Sequence, residues 1–200
     1  MVQKMEEKIT IQSGPCRLEG YWHAGTTGKA AVITHPHPLY GGTMSNPVVE
    51  TIQSAYQQYG HATLRFNFRG VGSSQGRFDN GVGEKDDVRA AIAYVAGMRI
   101  AAIDLAGYSF GAWVNAGVAA AKGTAIHSMS MVSPPVGFIA FDNVNALKCL
   151  KLVVTAAATT LHRLIISVVY CRSGTPGPNL KLSKAAIIFT PVIYNNWNHF

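Results

Sequence analysis

A serine stands between two glycines at residues 107–111 (GYSFG), and its type and spacing are suited to nucleophilic chemistry. The apolar run at 100–106 predicts a buried strand before it, and the small residues at 110–121 predict a helix after it. A serine in so sharp a strand-to-helix turn needs glycine two positions away on each side, because larger side chains would clash there. The alternative is an ordinary loop serine in a chain with 20 glycines. The strand and helix around it favour Ser109 as a nucleophile.

Acyl transfer at a serine also needs N–H groups that hold the negative oxygen of the tetrahedral intermediate. The Phe110 N–H, next to the nucleophile, is the first predicted donor. The second is expected from the loop after the strand at 29–34, which reads HPHPLYGG over residues 35–42. Its two prolines have no N–H, so three residues remain as candidates. These are His37, Leu39 and Tyr40.

Two histidines of this loop, His35 and His37, raise the alternative of a metal site. No third ligand stands near them in the sequence, and zinc sites need at least three protein ligands. The three cysteines, Cys16, Cys149 and Cys171, are too few and too scattered for a zinc site or a disulfide framework. We therefore predict no metal and no cofactor, and we interpret the two histidines as residues that fix the loop by hydrogen bonds.

Strands and helices alternate along most of the chain, which predicts an α/β fold with a mostly parallel sheet. Alternating polarity at 8–12 and 17–23 predicts an N-terminal antiparallel hairpin. Asn46 and Pro47 supply a cap and a first helical residue for the first helix. The remaining strands are predicted over 29–34, 62–68, 100–106, 126–132 and 150–155, and the helices over 47–60, 84–96 and 110–121.

The net charge of +7 is unevenly distributed. Residues 151–200 hold five Lys and Arg and no acidic residue, whereas residues 1–150 hold 12 basic and 10 acidic residues. No basic cluster is interleaved with aromatic residues, so we predict no nucleic-acid partner. No apolar run reaches the length of a bilayer span, so we predict no membrane partner. The start of the chain has no apolar signal segment and cysteines are few, which predicts a reduced, cytoplasmic protein.

Four runs of the sequence resemble, in this order, the α/β-hydrolase superfamily: AVITHPHPLYGGTMSNPVV, ATLRFNFRGVGSSQG, GEKDDVRAAIAYV and LAGYSFGAWV. More narrowly, they are similar to small, lidless bacterial proteins near the dienelactone hydrolases. The resemblance covers residues 5–155. It implies a serine hydrolase that forms an acyl-enzyme through Ser109 and takes a small ester-like substrate. It also implies that residues 65–67 and 69–72 are structural and that Asp86 and Asp87 are helix residues, not the triad acid.

The resemblance stops near residue 155. The family carries its triad acid in a pattern like G-x-x-D-x-x-x-P after the next strand, and its histidine in a run like D-H-F-F near the end. Neither pattern is present, and no acidic residue follows Asp142. We therefore expect a hydrolase core at 1–155 and a non-family segment at 156–200, with the last strand and helix lost or non-native. The expected activity is impaired, and the alternative function is a non-catalytic binding protein on a hydrolase scaffold.

We hypothesise that a one-base shift of the reading frame near residue 155 produced this departure. When the third base of each codon is read with the first two of the next, residues 155–163 can encode G-S-R-D-D-I-A-P. In the same frame, residues 184–189 can encode G-C-D-H-F. Both missing patterns thus appear in the right order, as the loss of a single base would produce.

Within the chain as it stands, the proton acceptor for Ser109 has no clear candidate. His199 lies in the final residues without an acid partner, His162 follows a threonine pair without a motif, and His127 is interpreted as a core or rim residue of its strand. Asp104 lies at the wrong end of the nucleophile strand. Four further side chains either line the acyl site or pack in the core: Tyr40, Met44, Tyr108 and Trp113.

Overall fold

The strands of the described part of the chain form one eight-stranded sheet, in the order β1-β2-β4-β3-β5-β6-β7-β8 along the sheet. The computed structural model describes residues 6–121, 123, 126–136, 139, 147–158 and 164–170. The strands are Glu7–Ser13 (β1), Cys16–His23 (β2), Lys29–Thr34 (β3), Ala62–Phe66 (β4), Ala102–Tyr108 (β5), Ser128–Val132 (β6), Leu150–Ala158 (β7) and Leu164–Tyr170 (β8). The helices are Pro47–Gln58 (α1), Val82–Ala96 (α2) and Phe110–Ala119 (α3), and Pro38–Tyr40 forms a 3-10 turn.

Strands β3 to β7 are parallel, and β1 and β2 form an antiparallel hairpin that joins the sheet through β4. This confirms the predicted α/β class and the N-terminal hairpin. The parallel strands are buried on both faces, which is why their sequences read as nearly continuous apolar runs.

Helices cover the two faces of the sheet unequally. On one face, α2 and α3 pack against a large core that includes Val88, Leu105 and Val114. On the other face, α1 packs on a smaller cluster that includes Val49 and Ala106. Because successive strand residues point to opposite faces, the neighbours Leu105 and Ala106 belong to different cores.

Local signals explain where the helices begin. The Asn46 side chain accepts a hydrogen bond from the Val48 N–H at 2.9 Å, so it caps α1 as predicted. Helix α2 begins two residues earlier than predicted. Gly81 takes a left-handed conformation with φ of 84° in front of it, and the Glu84 carboxylate accepts the Gly81 N–H at 2.7 Å. The Glu84 carboxylate therefore satisfies a backbone N–H that has no carbonyl partner within the helix.

Several strand bounds differ from the predictions. Backbone hydrogen bonds to the neighbouring strands, not the local apolar run, determine where a strand begins and ends. Strand β5 continues through Tyr108, which pairs with Val132, so two residues of the predicted turn belong to the strand. Strand β4 ends at Phe66, since the Phe68 N–H leaves the sheet to bond a side chain. Strand β6 begins at Ser128, so the prediction that His127 lies inside it was wrong.

The sheet passes beyond the predicted boundary at residue 155. Strand β7 extends to Ala158, and β8 pairs with it in the antiparallel sense. An otherwise parallel run of strands therefore ends in an antiparallel edge. The positions of His162, His199 and the second frame-shifted pattern lie outside the described residues. In the described part of the chain, no helix has both the length and the apolar character that a bilayer crossing requires.

Candidate active site

Ser109 lies in a strained turn between the end of β5 and the start of α3. Its φ of 53° and ψ of −117° place a residue with a side chain in a region that normally admits glycine. Such a conformation costs about 1–3 kcal/mol and persists only where the surroundings impose it. The Ser109 N–H donates to the Val132 carbonyl at 2.9 Å, and its own carbonyl accepts the Ala112 N–H at 3.0 Å. The ends of β6 and α3 thus hold the serine on the turn.

The two flanking glycines are required by close backbone contacts. A Cβ on Gly107 would lie 2.5 Å from the Ala112 nitrogen. A Cβ on Gly111 would lie 2.5 Å from the Thr34 hydroxyl and 2.7 Å from the His35 carbonyl oxygen. The missing side chains therefore let the N-terminus of α3 approach the end of β3, which brings the next loop beside the Ser109 turn.

The N-terminus of α3 favours negative charge beside Ser109. Its first helical residue is Phe110, no side chain caps this end, and no acidic residue lies in its first turn. The free N–H groups and the helix dipole both favour an anion at this position. The predicted first oxyanion donor therefore stands at the positive end of a helix.

Three backbone N–H groups of the loop after β3 are candidates for the second oxyanion donor, and two of them already donate hydrogen bonds within the loop. The Leu39 N–H donates to the His37 ring nitrogen Nδ1 at 3.2 Å, and the Tyr40 N–H donates to the His37 carbonyl at 3.1 Å. Both groups are thus consumed by the 3-10 turn at Pro38–Tyr40. Among the described residues, no acceptor bonds the His37 N–H.

The His35 imidazole fixes this loop and is not a base. It is fully buried, its Nε2 accepts the Phe68 N–H at 3.1 Å, and its Nδ1 therefore carries the hydrogen that bonds the Pro36 carbonyl at 2.7 Å. Burial lowers the pKa of His35 to about 4, so the ring is neutral at pH 7. With both nitrogens occupied, it has no site left for a proton or a metal.

His37 is held by similar constraints. Because its Nδ1 accepts the Leu39 N–H, the neutral ring carries its hydrogen on Nε2 and has no free lone pair for the serine proton. Desolvation lowers the pKa of His37 against the opposing influence of the Glu84 charge. Its ring contacts those of Tyr40, Phe78 and Phe110, each with centroids 4.8 Å apart.

A carboxylate–imidazole pair exists, but at the opposite edge of the sheet. The Asp104 carboxylate contacts His127 Nδ1 at 2.9 Å, accepts the Ser128 hydroxyl at 2.7 Å and lies 3.6 Å from His61 Nε2. Asp104 precedes Ser109 by five residues along an extended strand, which corresponds to about 16 Å. This group therefore cannot take the serine proton, as its position in the sequence predicted.

The residues predicted to be structural support the loops at the edge of the sheet that carries Ser109. Asp87 is a buried residue of α2, and its carboxylate accepts the Arg69 backbone N–H and guanidinium, with the shortest contact at 2.7 Å. Asn67 accepts the Met44 N–H at 2.8 Å, and the Arg65 guanidinium donates to the Met44 carbonyl at 3.1 Å. Met44 is therefore a buried residue of the support, not part of the site lining.

The other three candidate lining residues lie at different depths. Tyr40 is 85% exposed, whereas Tyr108 and Trp113 are partly buried. The Trp113 ring packs against Phe110 and against Gly81, where an added Cβ would lie 2.1 Å from the ring.

Sequence reasoning missed Phe78, since nothing in its local pattern marks it as a neighbour of the His37 and Phe110 rings. The described residues contain no cluster of three metal-ligating side chains.

A mostly parallel sheet with a strained serine turn at its carboxyl edge defines the α/β-hydrolase fold. The chain is similar to an α/β serine hydrolase homologue from Coxiella burnetii, with 41% identity, a TM-score of 0.65 and coverage of 72% of this chain and 69% of that one. It is also similar to a lidless α/β serine hydrolase from Xanthomonas campestris, with 31% identity, a TM-score of 0.69 and coverage of 78% and 72%. The chain therefore belongs to the family of lidless α/β serine hydrolases.

Among curated sequences, the chain is similar to an uncharacterised protein of Rickettsia prowazekii. It is 41% identical over 127 residues, which are 62% of this chain. The chain spans about half (53%) of that relative's length. No protein-family model matches the chain.

Proposed function

We propose that this protein is a serine hydrolase that acts on ester-like bonds through an acyl-enzyme at Ser109. The strained Ser109 backbone at the positive end of α3 is the observation that carries the proposal. The serine oxygen adds to the ester carbonyl, and its proton passes to a base. The alcohol then leaves with a proton, and water releases the acid by the reverse sequence.

The tetrahedral oxyanion is held by the backbone N–H groups of Phe110 and His37. Phe110 supplies the first N–H of α3, and His37 is the one candidate of its loop whose N–H is not consumed by the 3-10 turn. The close approach of Gly111 to the His35 carbonyl oxygen keeps helix and loop adjacent. Leu39 and Tyr40, also predicted as donors, serve the turn itself and are replaced by His37 in this proposal.

Turnover by this chain is slow, because no described histidine can serve as the base. Both loop histidines have their acceptor nitrogens occupied, His61 and His127 lie against Asp104 at the other edge, and His23 pairs with Thr63 near the start of β4, at that same edge. Loss of a triad base lowers kcat by about 10⁶-fold, so activity close to the uncatalysed background is expected. This same observation favours the second candidate function, a non-catalytic binding protein on a hydrolase scaffold.

A fluorophosphonate separates the two candidate functions. The Ser109 oxygen attacks phosphorus, fluoride leaves, the serine proton passes to the buffer, and the protein gains the mass of one phosphonyl group. Because no described base activates the serine, we expect slow labelling of the wild type, faster at alkaline pH, and none of Ser109→Ala. Ser54→Ala is the matched control, because Ser54 is an exposed serine of α1. Equal labelling of wild type and Ser109→Ala would contradict the nucleophile assignment, and absence of labelling even after long incubation at alkaline pH would favour the binding protein.

A further inference from the structure

Large apolar side chains remain exposed mainly at the edge of the sheet that carries Ser109. Four of the five such residues in the described part of the chain follow the carboxyl ends of parallel strands. They are Leu39 (69% exposed) and Tyr40 (85%) after β3, Val82 (65%) after β4 and Val136 (70%) after β6. The fifth, Tyr59 (78%), follows α1 and lies toward the opposite edge. Exposed apolar groups concentrated on one side of a small protein mark a binding surface.

This surface is continuous with the nucleophile through four rings, which we call the aromatic wall: His37, Tyr40, Phe78 and Phe110. Phe110 is the residue next to Ser109, and its ring lies 4.8 Å from His37 and 5.8 Å from Phe78. The His37 ring then contacts Tyr40 at 4.8 Å. The wall therefore leads from the buried ring of Phe110, the residue that follows Ser109 in the chain, to the exposed ring of Tyr40.

The aromatic wall is uncharged at neutral pH. Desolvation lowers the pKa of His37, so its ring is neutral. The acid that acts on His37, Glu84, is buried, and its two oxygens accept the N–H groups of Asp79 and Gly81 at 2.8 and 2.7 Å. The carboxylate is thus committed to the start of α2. The four rings of the wall are therefore neutral.

We propose that the aromatic wall binds a flat aromatic ring in the acyl part of the substrate, with Tyr40 as the residue that selects it. The inference rests on the proposed function, because it assigns the substrate class of the Ser109 site. The wall rings meet at interplanar angles of 44° to 56°, so they present both faces and edges. Aromatic partners gain more from such an arrangement than alkyl chains of equal area. Tyr40, which is exposed in the free protein, is covered when the ring binds.

Boronic acids test the proposal without requiring turnover. The Ser109 oxygen adds to boron, its proton is released to the buffer, and a tetrahedral anionic adduct forms. We expect phenylboronic acid to bind the wild type about tenfold tighter than butylboronic acid. Tyr40→Ala should reduce this preference about fivefold, equivalent to about 1 kcal/mol, whereas Tyr40→Phe should retain it. Tyr59→Ala is the matched control for loss of an exposed tyrosine and should leave the preference unchanged.

Ser109→Ala distinguishes failure of the inference from failure of the proposed function. Loss of both boronates in Ser109→Ala supports the nucleophile. If binding depends on Ser109 but shows no preference for the phenyl group, or a preference that Tyr40→Ala leaves intact, the inference is wrong and the function stands. If neither boronate binds, or both bind Ser109→Ala as well as the wild type, the proposed function and the inference fall together.

Discussion

The buried His35 imidazole makes the stability of the protein depend on pH, and the size of the effect follows from its pKa. The folded pKa is about 4 against an ordinary 6.5, because burial disfavours the charged ring. The unfolded chain therefore takes up a proton more readily than the folded one as the pH falls. The contribution of neutral His35 is fully present above pH 6.5 and is lost progressively as the pH falls from 6.5 toward 4. It corresponds to about 2 kcal/mol of lost stability between pH 7 and pH 5.

Urea denaturation at pH 7 and pH 5 measures this effect. His35→Gln removes the titrating ring and can keep an acceptor for the Phe68 N–H, so the variant should lose about 2 kcal/mol less than the wild type on acidification. Both pH values lie above the window in which Glu6 and Glu19 titrate, since their hydrogen bonds outweigh burial and hold their pKa values below the ordinary 4.5. An equal loss of stability in the wild type and in His35→Gln would refute the reasoning.

Three further predictions concern the ion pair between Asp87 and Arg69, the turn at Gly107 and the segment at 156–200. Asp87→Asn should destabilise the fold by about 3–5 kcal/mol in urea denaturation, because it leaves the Arg69 guanidinium unpaired, whereas its exposed neighbour Asp86→Asn should cost under about 0.5 kcal/mol. A smaller effect at Asp87 than at Asp86 would contradict this ion-pair assignment. Gly107→Ala should abolish fluorophosphonate labelling, because its Cβ meets backbone nitrogen at 2.5 Å, and full labelling would contradict the proposed tight turn. Adding one base to the coding DNA near codon 155 should raise p-nitrophenyl acetate hydrolysis by at least about 10³-fold, and unchanged activity would count against the frame shift.

Local sequence patterns were sufficient for the parallel sheet and for the nucleophile turn. Each depends on short-range rules: alternation and apolar runs for strands, a capping residue with Pro47 for α1, and glycines two residues from Ser109 for the turn. Where predicted bounds were wrong, as at the start of β6, the cause was pairing with a distant strand. Ladder hydrogen bonds are set by the neighbouring strand, which local composition does not describe.

The proposed second oxyanion donor shows the limit of local reasoning. The prolines of the loop reduced the candidates to His37, Leu39 and Tyr40, because proline has no N–H. The choice among these three depended on a 3-10 turn that folds two of the N–H groups back onto His37. The roles of His35 and His37 were similarly decided by partners that lie elsewhere in the chain, the Phe68 N–H and the ring of Phe78.

The sequence by itself determined that a serine stands on a glycine-flanked turn at the carboxyl edge of a parallel sheet, because the steric demands of that turn are local. It also determined that residues 156–200 carry no acid, which is a matter of composition. Only the tertiary structure decided the state of the groups in the loop that packs against the start of α3: the open His37 N–H, the neutral imidazoles and the aromatic wall. These depend on the packing of α3 against the end of β3, a contact between segments more than 70 residues apart.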